Sequence, residues 1–228
     1  SSLSMLKIEV LQFKLPGITI PLAVAAEPEQ FIGDLSDPDQ TPCWADVWPA
    51  ARALAKYIWS GPALKGVSVL ELGAGVGLPG VVCGLKGATV AFSDFQPLAL
   101  ELCRHNAVLN QLQQYRLLLQ DWRSFSLRER FKLVLASDIA YEPRLLPHLK
   151  SVLLQTVQKG GSIYLTHDHR PVTFAFIEEV MATGLFAEER HRIPVTVDDP
   201  LRPHYQIDLH ILKCVGHGDN PGPGSSKG

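Results

Sequence analysis

An acid, three glycines at alternate positions and a proline stand together in Glu71-Leu72-Gly73-Ala74-Gly75-Val76-Gly77-Leu78-Pro79. Glycines at that spacing let the backbone turn sharply and bring a ligand against the amides of a helix start, and Pro79 suits a first helical turn. The ligand that such a loop holds is a nucleoside-type cofactor; a glycine-rich turn without a ligand is the plainer alternative. A dinucleotide fingerprint would need a third glycine where Leu78 stands, counting from Gly73. Asp94 closes the next apolar run about 20 residues on, where a carboxylate can accept hydrogen bonds from both ribose hydroxyls. It could equally cap a helix that begins at Pro97.

Asp138 and Tyr141 follow the run Phe131 to Ser137. Open α/β sheets bind ligands beyond the carboxyl ends of their strands, so both residues face the chemistry, unless Asp138 caps a helix beginning near Pro143. The segment Thr166-His167-Asp168-His169-Arg170 lies at the same edge. Its His-x-His pair has no third ligand at a recognisable spacing, so no metal is expected, and His167 could contact substrate instead. Neither a phosphate-binding Gly-x-x-x-x-Gly-Lys-Ser/Thr nor a Gly-x-Ser-x-Gly elbow occurs.

The elements that must position these residues are legible from pattern. Met5 to Phe13 and Ile18 to Val24, joined at Pro16-Gly17, read as a hairpin. Residues 27 to 42 lack periodicity and form a surface connection, and apolar residues at three- and four-residue intervals predict a helix from Trp44 to Trp59. Short, nearly continuous apolar runs then alternate with helical stretches: strands at Val67 to Leu72, Ala88 to Ser93, Tyr115 to Gln120, Phe131 to Ser137 and Ser162 to Thr166. Helices are expected at Pro79 to Leu85, Pro97 to Leu109, Arg144 to Val157 and Val172 to Thr183. Strands of that kind belong to a parallel sheet covered on both faces. Two last runs, Leu185 to Ile193 and Tyr205 to Leu212, leave no room for a crossover helix and must pair antiparallel. The fold class is α/β, a Rossmann-like doubly wound sheet of seven strands, mostly parallel, with an N-terminal hairpin and helix. One domain, 44–214, follows the 5–43 hairpin and connection. Ser1 to Ser4 and a disordered tail at 215–228 stand outside it, and either end could derive from expression.

Composition narrows the class. Of 228 residues, 46% are hydrophobic and 19% charged, which suits a chain with a large core rather than wholesale disorder. Lysine plus arginine (21) nearly balances aspartate plus glutamate (23), so no global field attracts nucleic acid. No apolar run reaches the ~18 to 20 residues of a membrane helix. A signal peptide is not evident, so a cytoplasmic protein is expected. The four cysteines lie far apart without a Cys-x-x-Cys pair and read as buried free thiols. With no exposed heptad in the pattern, a monomer is expected.

The Glu71-x-Gly73-x-Gly75-x-Gly77 loop, the Asp138-x-x-Tyr141 pattern and the Trp48-Pro-Ala-Ala51 stretch together resemble the family 16 group of seven-stranded, S-adenosylmethionine-dependent methyltransferases. That group includes many protein lysine methyltransferases, and the resemblance covers about residues 42 to 170. Pro42-Cys-Trp44-Ala45-Asp-Val-Trp48-Pro49 is most similar to the branch that methylates the electron transfer flavoprotein β subunit. That branch carries Gly-Gly where this chain has Ala50-Ala51, so its substrate does not transfer. The resemblance implies S-adenosyl-L-methionine as cofactor, S-adenosyl-L-homocysteine as product, and a protein lysine or, alternatively, a small amine as acceptor. It assigns Trp48, Glu71, Gly73, Ala74, Gly75, Gly77, Asp94, Asp121, Trp122 and Ser137 to the cofactor. Asp121 would meet the adenine amino group with Trp122 beside the ring; as residues of another kind they would be a turn cap and a core tryptophan, and Trp48 a core-facing helix residue. Asp138 would accept a hydrogen bond from the incoming amine and Tyr141 shape the methyl-transfer channel.

Overall fold

The computed structural model describes residues 6–27 and 46–216. The connection at 28–45, with Cys43 and Trp44, lies outside the described residues, as do Ser1 to Ser4 and the tail beyond Gly216. Alternating apolar side chains build an antiparallel hairpin from β1 (Ile8–Leu15) and β2 (Ile18–Ala25), turning at Pro16-Gly17. Helix α1 (Pro49–Ser60) starts later than the periodicity from Trp44 predicts, with Asp46 to Trp48 outside the helix. The cause is Pro49: a proline disfavours helical backbone in the residue before it, and Trp48 is extended at φ −70°, ψ 151°. Val47, not Trp48, turns into the core.

The main sheet contains β3 (Ser68–Leu72), β4 (Thr89–Asp94), β5 (Tyr115–Leu119), β6 (Phe131–Ser137), β7 (Val157–His167), β8 (Phe186–Thr196) and β9 (His204–Cys214). Their order is β5-β4-β3-β6-β7-β9-β8. The first five pair in parallel, while β9 runs antiparallel to both β7 and β8, as the short link between the last two strands requires. Helices α2 (Leu78–Leu85), α3 (Pro97–Leu109), α4 (Leu146–Thr156) and α5 (Pro171–Met181) complete the crossovers. Strand β7 is longer than the run Ser162 to Thr166, because a register shift opposite Phe131 and Leu133 lets it begin at Val157 and it continues through His167.

Alternate residues of each central strand feed two cores, as the period of two demands. Val69, Leu133 and Leu135 pack with the hairpin, α1, α2 and α3, whereas Leu70, Val134 and Ala136 pack with α4 and α5. Cys83, Cys103 and Cys214 are free and buried within these cores. No helix among the described residues is long and apolar enough to cross a membrane.

One polar residue ties the hairpin to the glycine loop. Asn106, fully buried on α3, donates to the carbonyls of Ala23 (3.0 Å) and Val76 (2.7 Å), while its Oδ1 accepts the N–H of Ala23. Replacing it with leucine leaves three backbone groups without partners, each costing about 1 to 3 kcal/mol when buried. Asn106→Leu is therefore expected to lose roughly 3 kcal/mol or more of stability in urea unfolding.

Candidate functional site

Strand β3 has β4 on one side and β6 on the other, so successive connections leave it in opposite directions. A crevice opens at the carboxyl edge of such a reversal. Here it is a cleft of about 320 Å³, lined by the ends of β3, β4, β5 and β6, by residues ahead of α1, and by Arg170 after β7. That volume lies in the range of small-molecule sites.

The glycine loop forms one wall. Gly73 holds φ 55°, and a Cβ there would approach Ile139 Cγ2 to 2.8 Å, so a side chain would push into the β6 loop. Ala74 and Gly75 line the cleft beside it, and Asp94 faces them from β4. Asp94 Oδ2 accepts the N–H of Gly75 (3.1 Å) and Oδ1 that of Gln96 (3.0 Å). Burial pushes this carboxyl upward, and the backbone donors oppose that shift. A carboxylate has about four lone-pair sites, so Asp94 keeps acceptor capacity toward the cleft. It does not cap α3, whose N-cap is Gln96.

Glu71 and Gly77 are not on the lining; they stand behind it. Glu71 is buried under the loop, its Oε1 accepting the N–H of Gly80 at 3.1 Å, while Oε2 is buried with no hydrogen-bond partner. Desolvation raises the Glu71 carboxyl to about 8. In the neutral acid no charge is left without a donor, which lowers the cost of the unpartnered Oε2. Gly80 also takes the close-packing position of a third glycine, because a Cβ there would collide with the Phe92 ring. The folded carboxyl is raised above its unfolded value of 4.5, so its contribution is complete below pH 4.5 and is lost as pH rises to about 8. Glu71→Gln keeps the acceptor for Gly80 and removes the ionisation. Its urea stability is expected to decline less between pH 5 and 8 than that of the parent chain.

The opposite wall comes from β5 and β6. Asp121 and Trp122 line the cleft. Asp121 also caps a short 3-10 turn through the Arg123 N–H, and the Arg123 guanidinium lowers its carboxyl. Trp122 is partly buried against the α4 side of the core, so cap, core and cleft roles coincide in this pair. Ser137, Asp138 and Tyr141 form the floor, and Trp48 closes the rim, 48% exposed rather than in the core. Asp138 is no helix cap, since α4 begins at Leu146 behind Leu145. Its backbone is left-handed at φ 52°, and its N–H donates to Thr166 O at 2.7 Å.

Arg170 is the residue that the sequence reading passed over. Its Nε donates to Asp138 Oδ1 (2.7 Å), its Nη2 to Oδ2 (3.1 Å), and its guanidinium carbon lies 5.3 Å from the Tyr141 ring centroid. Phe95, 44% exposed directly after Asp94, was missed as well. Their common signal was position, within a few residues of a strand's carboxyl end. His167 is different from the expectation of substrate contact: it is fully buried and off the lining, because β7 runs one residue past Thr166 and turns this side chain under the sheet. The His-x-His pair also diverges, His167 bonding His210 and His169 bonding Asp208. Among the described residues no cluster of ligand side chains could hold a metal.

Five acids and two arginines line the cleft, and each arginine already holds a carboxylate, Arg123 on Asp121 and Arg170 on Asp138. Such walls suit a cation more than a pyrophosphate. Strand order, with the glycine loop after β3 and an acid at the end of β4, is that of the Rossmann-like fold of class I methyltransferases. The RsmC 16S rRNA methyltransferase of T. Thermophilus superposes with a TM-score of 0.64 at 16% identity, over 91% of this chain and 51% of that one. A ribosomal protein L11 methylase of Lactobacillus delbrueckii subsp. bulgaricus gives 0.58 at 20% identity, over 91% and 99%. The chain belongs to the lysine methyltransferase family, whose family model matches residues 34–181. It is 32% identical over 126 residues to the Homo sapiens histone-arginine methyltransferase METTL23, covering 52% of this chain and 66% of that protein. It is 31% identical over 107 residues to the human electron transfer flavoprotein beta subunit lysine methyltransferase, covering 46% and 40%. The Xenopus tropicalis protein N-lysine methyltransferase METTL21A matches at 34% over 128 residues, covering 54% and 59%. The chain thus spans about half the length of the curated relatives it matches.

Proposed function

We propose that this chain binds S-adenosylmethionine in the cleft and methylates a side-chain nitrogen of a protein, with lysine as the acceptor. The observation that carries this reading is the Asp138–Tyr141–Arg170 group on the floor of a cleft whose walls are a glycine loop and Asp94. The residues fit the cofactor: Asp94 has spare acceptor capacity for ribose, Gly73 leaves the loop bare, Trp122 offers an apolar flank for a base, and the acidic lining favours a sulfonium cation. When bound, S-adenosylmethionine would supply an electrophilic methyl group there.

The chain's own part is positioning. A lysine amine, with pKa near ~10.4, arrives mostly as ammonium and must shed a proton before its lone pair can attack. Both Asp138 oxygens are held by Arg170, yet each retains a lone pair, so Asp138 is an acceptor of fixed direction for the amine N–H. Tyr141 and Trp48 supply aromatic walls that exclude water from the nitrogen. An arginine acceptor is the second reading, favoured by the similarity to METTL23. The protein is taken to act as a cytoplasmic monomer, which light scattering and cell fractionation check.

Labelled S-adenosylmethionine, added with this protein to a lysate from cells lacking it, is expected to mark a protein band, and peptide mapping then separates lysine from arginine. Label found only in small molecules would overturn the protein acceptor. S-adenosylhomocysteine is expected to raise the melting temperature and NAD to leave it unchanged; stabilisation by NAD alone would sink the cofactor assignment.

A further inference from the structure

Behind Arg170 lies a row of buried rings that the cleft itself does not use. His167 and His210 are fully buried and stacked with centroids 5.0 Å apart. Their Nε2 atoms are 2.8 Å apart, His210 Nδ1 stands 2.8 Å from Glu188 Oε2, and His167 Nδ1 is 2.9 Å from the backbone N of Arg170. A backbone amide can only donate, so His167 Nδ1 must be the lone-pair nitrogen and the ring proton sits on Nε2. That proton makes His210 Nε2 an acceptor, which leaves the proton of His210 on Nδ1, directed at the Glu188 carboxylate. All three hydrogen bonds therefore run one way, from Arg170 to Glu188. Neither ring can gain a second proton without setting donor against donor.

Both ends of the row are anchored. Arg190 holds the other Glu188 oxygen at 3.0 Å, and the Phe174 ring packs edge-on against both histidines. At the near end, the 167–170 turn carries His169 at φ 48°, and Asp138 across the cleft holds φ 52°. A left-handed non-glycine residue costs roughly 1–2 kcal/mol and persists where its surroundings hold it. Arg170 joins the two strained segments, through its amide on one side and its guanidinium on the other.

We propose that His167, oriented by His210 and Glu188, is a positioning residue that fixes Arg170 so that its guanidinium holds Asp138 and Tyr141 in place for the acceptor nitrogen. The inference rests on the methyltransferase reading of the cleft. The titratable and charged groups facing the two rings are Glu188 and Arg190 from β8, Asp208 from β9, and His169 and Arg170 from the turn. Burial first, then the neighbouring His210, pushes His167 down to about 4, and burial lowers His210 against the pull of Glu188. His167 is thus neutral at pH 6, and the direction of the hydrogen bonds leaves His210 a single ring proton, on Nδ1.

Two variants separate positioning from mere stability. His167→Asn puts an acceptor near the Nδ1 place and loses the Nε2 donor; His167→Gln does the reverse. Each breaks one buried hydrogen bond, so both lose similar stability. The Gln variant is expected to lose up to roughly tenfold in kcat, the loss that removing the Arg170 side chain would give, with S-adenosylhomocysteine affinity unchanged, and the Asn variant to remain within about threefold of the parent. Equal losses in the two would overturn the proposal. Imidazole nitrogen spectra at pH 6 are expected to report Nε2–H on His167 and Nδ1–H on His210, and the Arg170 Nε proton to exchange slowly in the parent and Asn variant but rapidly in the Gln variant. A charged ring, the opposite tautomers, or fast Arg170 exchange in all three would also overturn it. These spectra decide the point even where the parent chain methylates no protein, an outcome that would defeat the reading of the cleft instead.

Discussion

Turnover is expected to fall by at least about a hundredfold when Asp138 is replaced by alanine, while S-adenosylhomocysteine affinity stays within about twofold. The reason is where the carboxylate stands. It lines the cleft after β6, whereas Asp94 ends β4 on the other side of β3, so its loss removes the acceptor for the incoming amine and leaves the Asp94 bonds to Gly75 and Gln96 in place. The substitution also strands the Arg170 guanidinium, which lost two short bonds from one partner. That side chain is 39% exposed, so water can solvate it and the fold should survive. Asp138→Asn is the finer probe: its oxygen can still accept from one Arg170 donor, but its amide then faces the other, so the fork no longer fits and an intermediate loss is expected. Arg170→Ala leaves the acceptor in place with its direction unfixed, and roughly a tenfold loss should follow. Turnover by Asp138→Ala within twofold of the parent chain would remove Asp138 from the chemistry altogether.

Why Asp138 was legible and Arg170 was not has a physical answer. A strand's carboxyl end is a local feature: the nearly continuous run Phe131 to Ser137 marks a parallel strand covered on both faces, and whatever follows it must lie at the binding edge. The same logic places Asp94 at the end of β4, while the antiparallel pairing of β8 with β9 follows from the short link between them. Arg170 matters through a partner 32 residues away, and Asn106 through a strand 83 residues away. Neither pairing leaves a trace in spacing, because side-chain contacts across elements are set by packing rather than by period. His167 failed for a subtler reason. The pairing continues one residue beyond the apolar run, to His167 opposite Asp208, so His167 is a buried strand residue and not part of the loop at the cleft. Periodicity alone carries the helix back to Trp44, but Pro49 sets its start and leaves Trp48 extended and 48% exposed on the cleft lining.

The other large effect is expected at Asp94, and it falls on affinity rather than on turnover. Its two oxygens hold the Gly75 and Gln96 amides, which fixes the glycine loop against the end of β4, and the remaining lone pairs face the cleft. Hydrogen bonds to a charged acceptor are worth about 1.5 to 3 kcal/mol each. Alanine therefore removes the ribose acceptor and loosens the loop that must lie beneath the cofactor. A loss of roughly 3 kcal/mol, or about 100-fold in Kd for S-adenosylhomocysteine by calorimetry, is expected. Asp94→Asn sharpens the test: only one of its terminal atoms can accept, so either Gly75 or Gln96 loses its partner and binding should be weakened nearly as much as by alanine. The same substitutions leave Asp138 and Arg170 untouched, so kcat at saturating cofactor should change little while KM for the cofactor rises. A fall in kcat with unchanged affinity would place the nucleoside elsewhere in the cleft and return Asp94 to a role in loop structure alone.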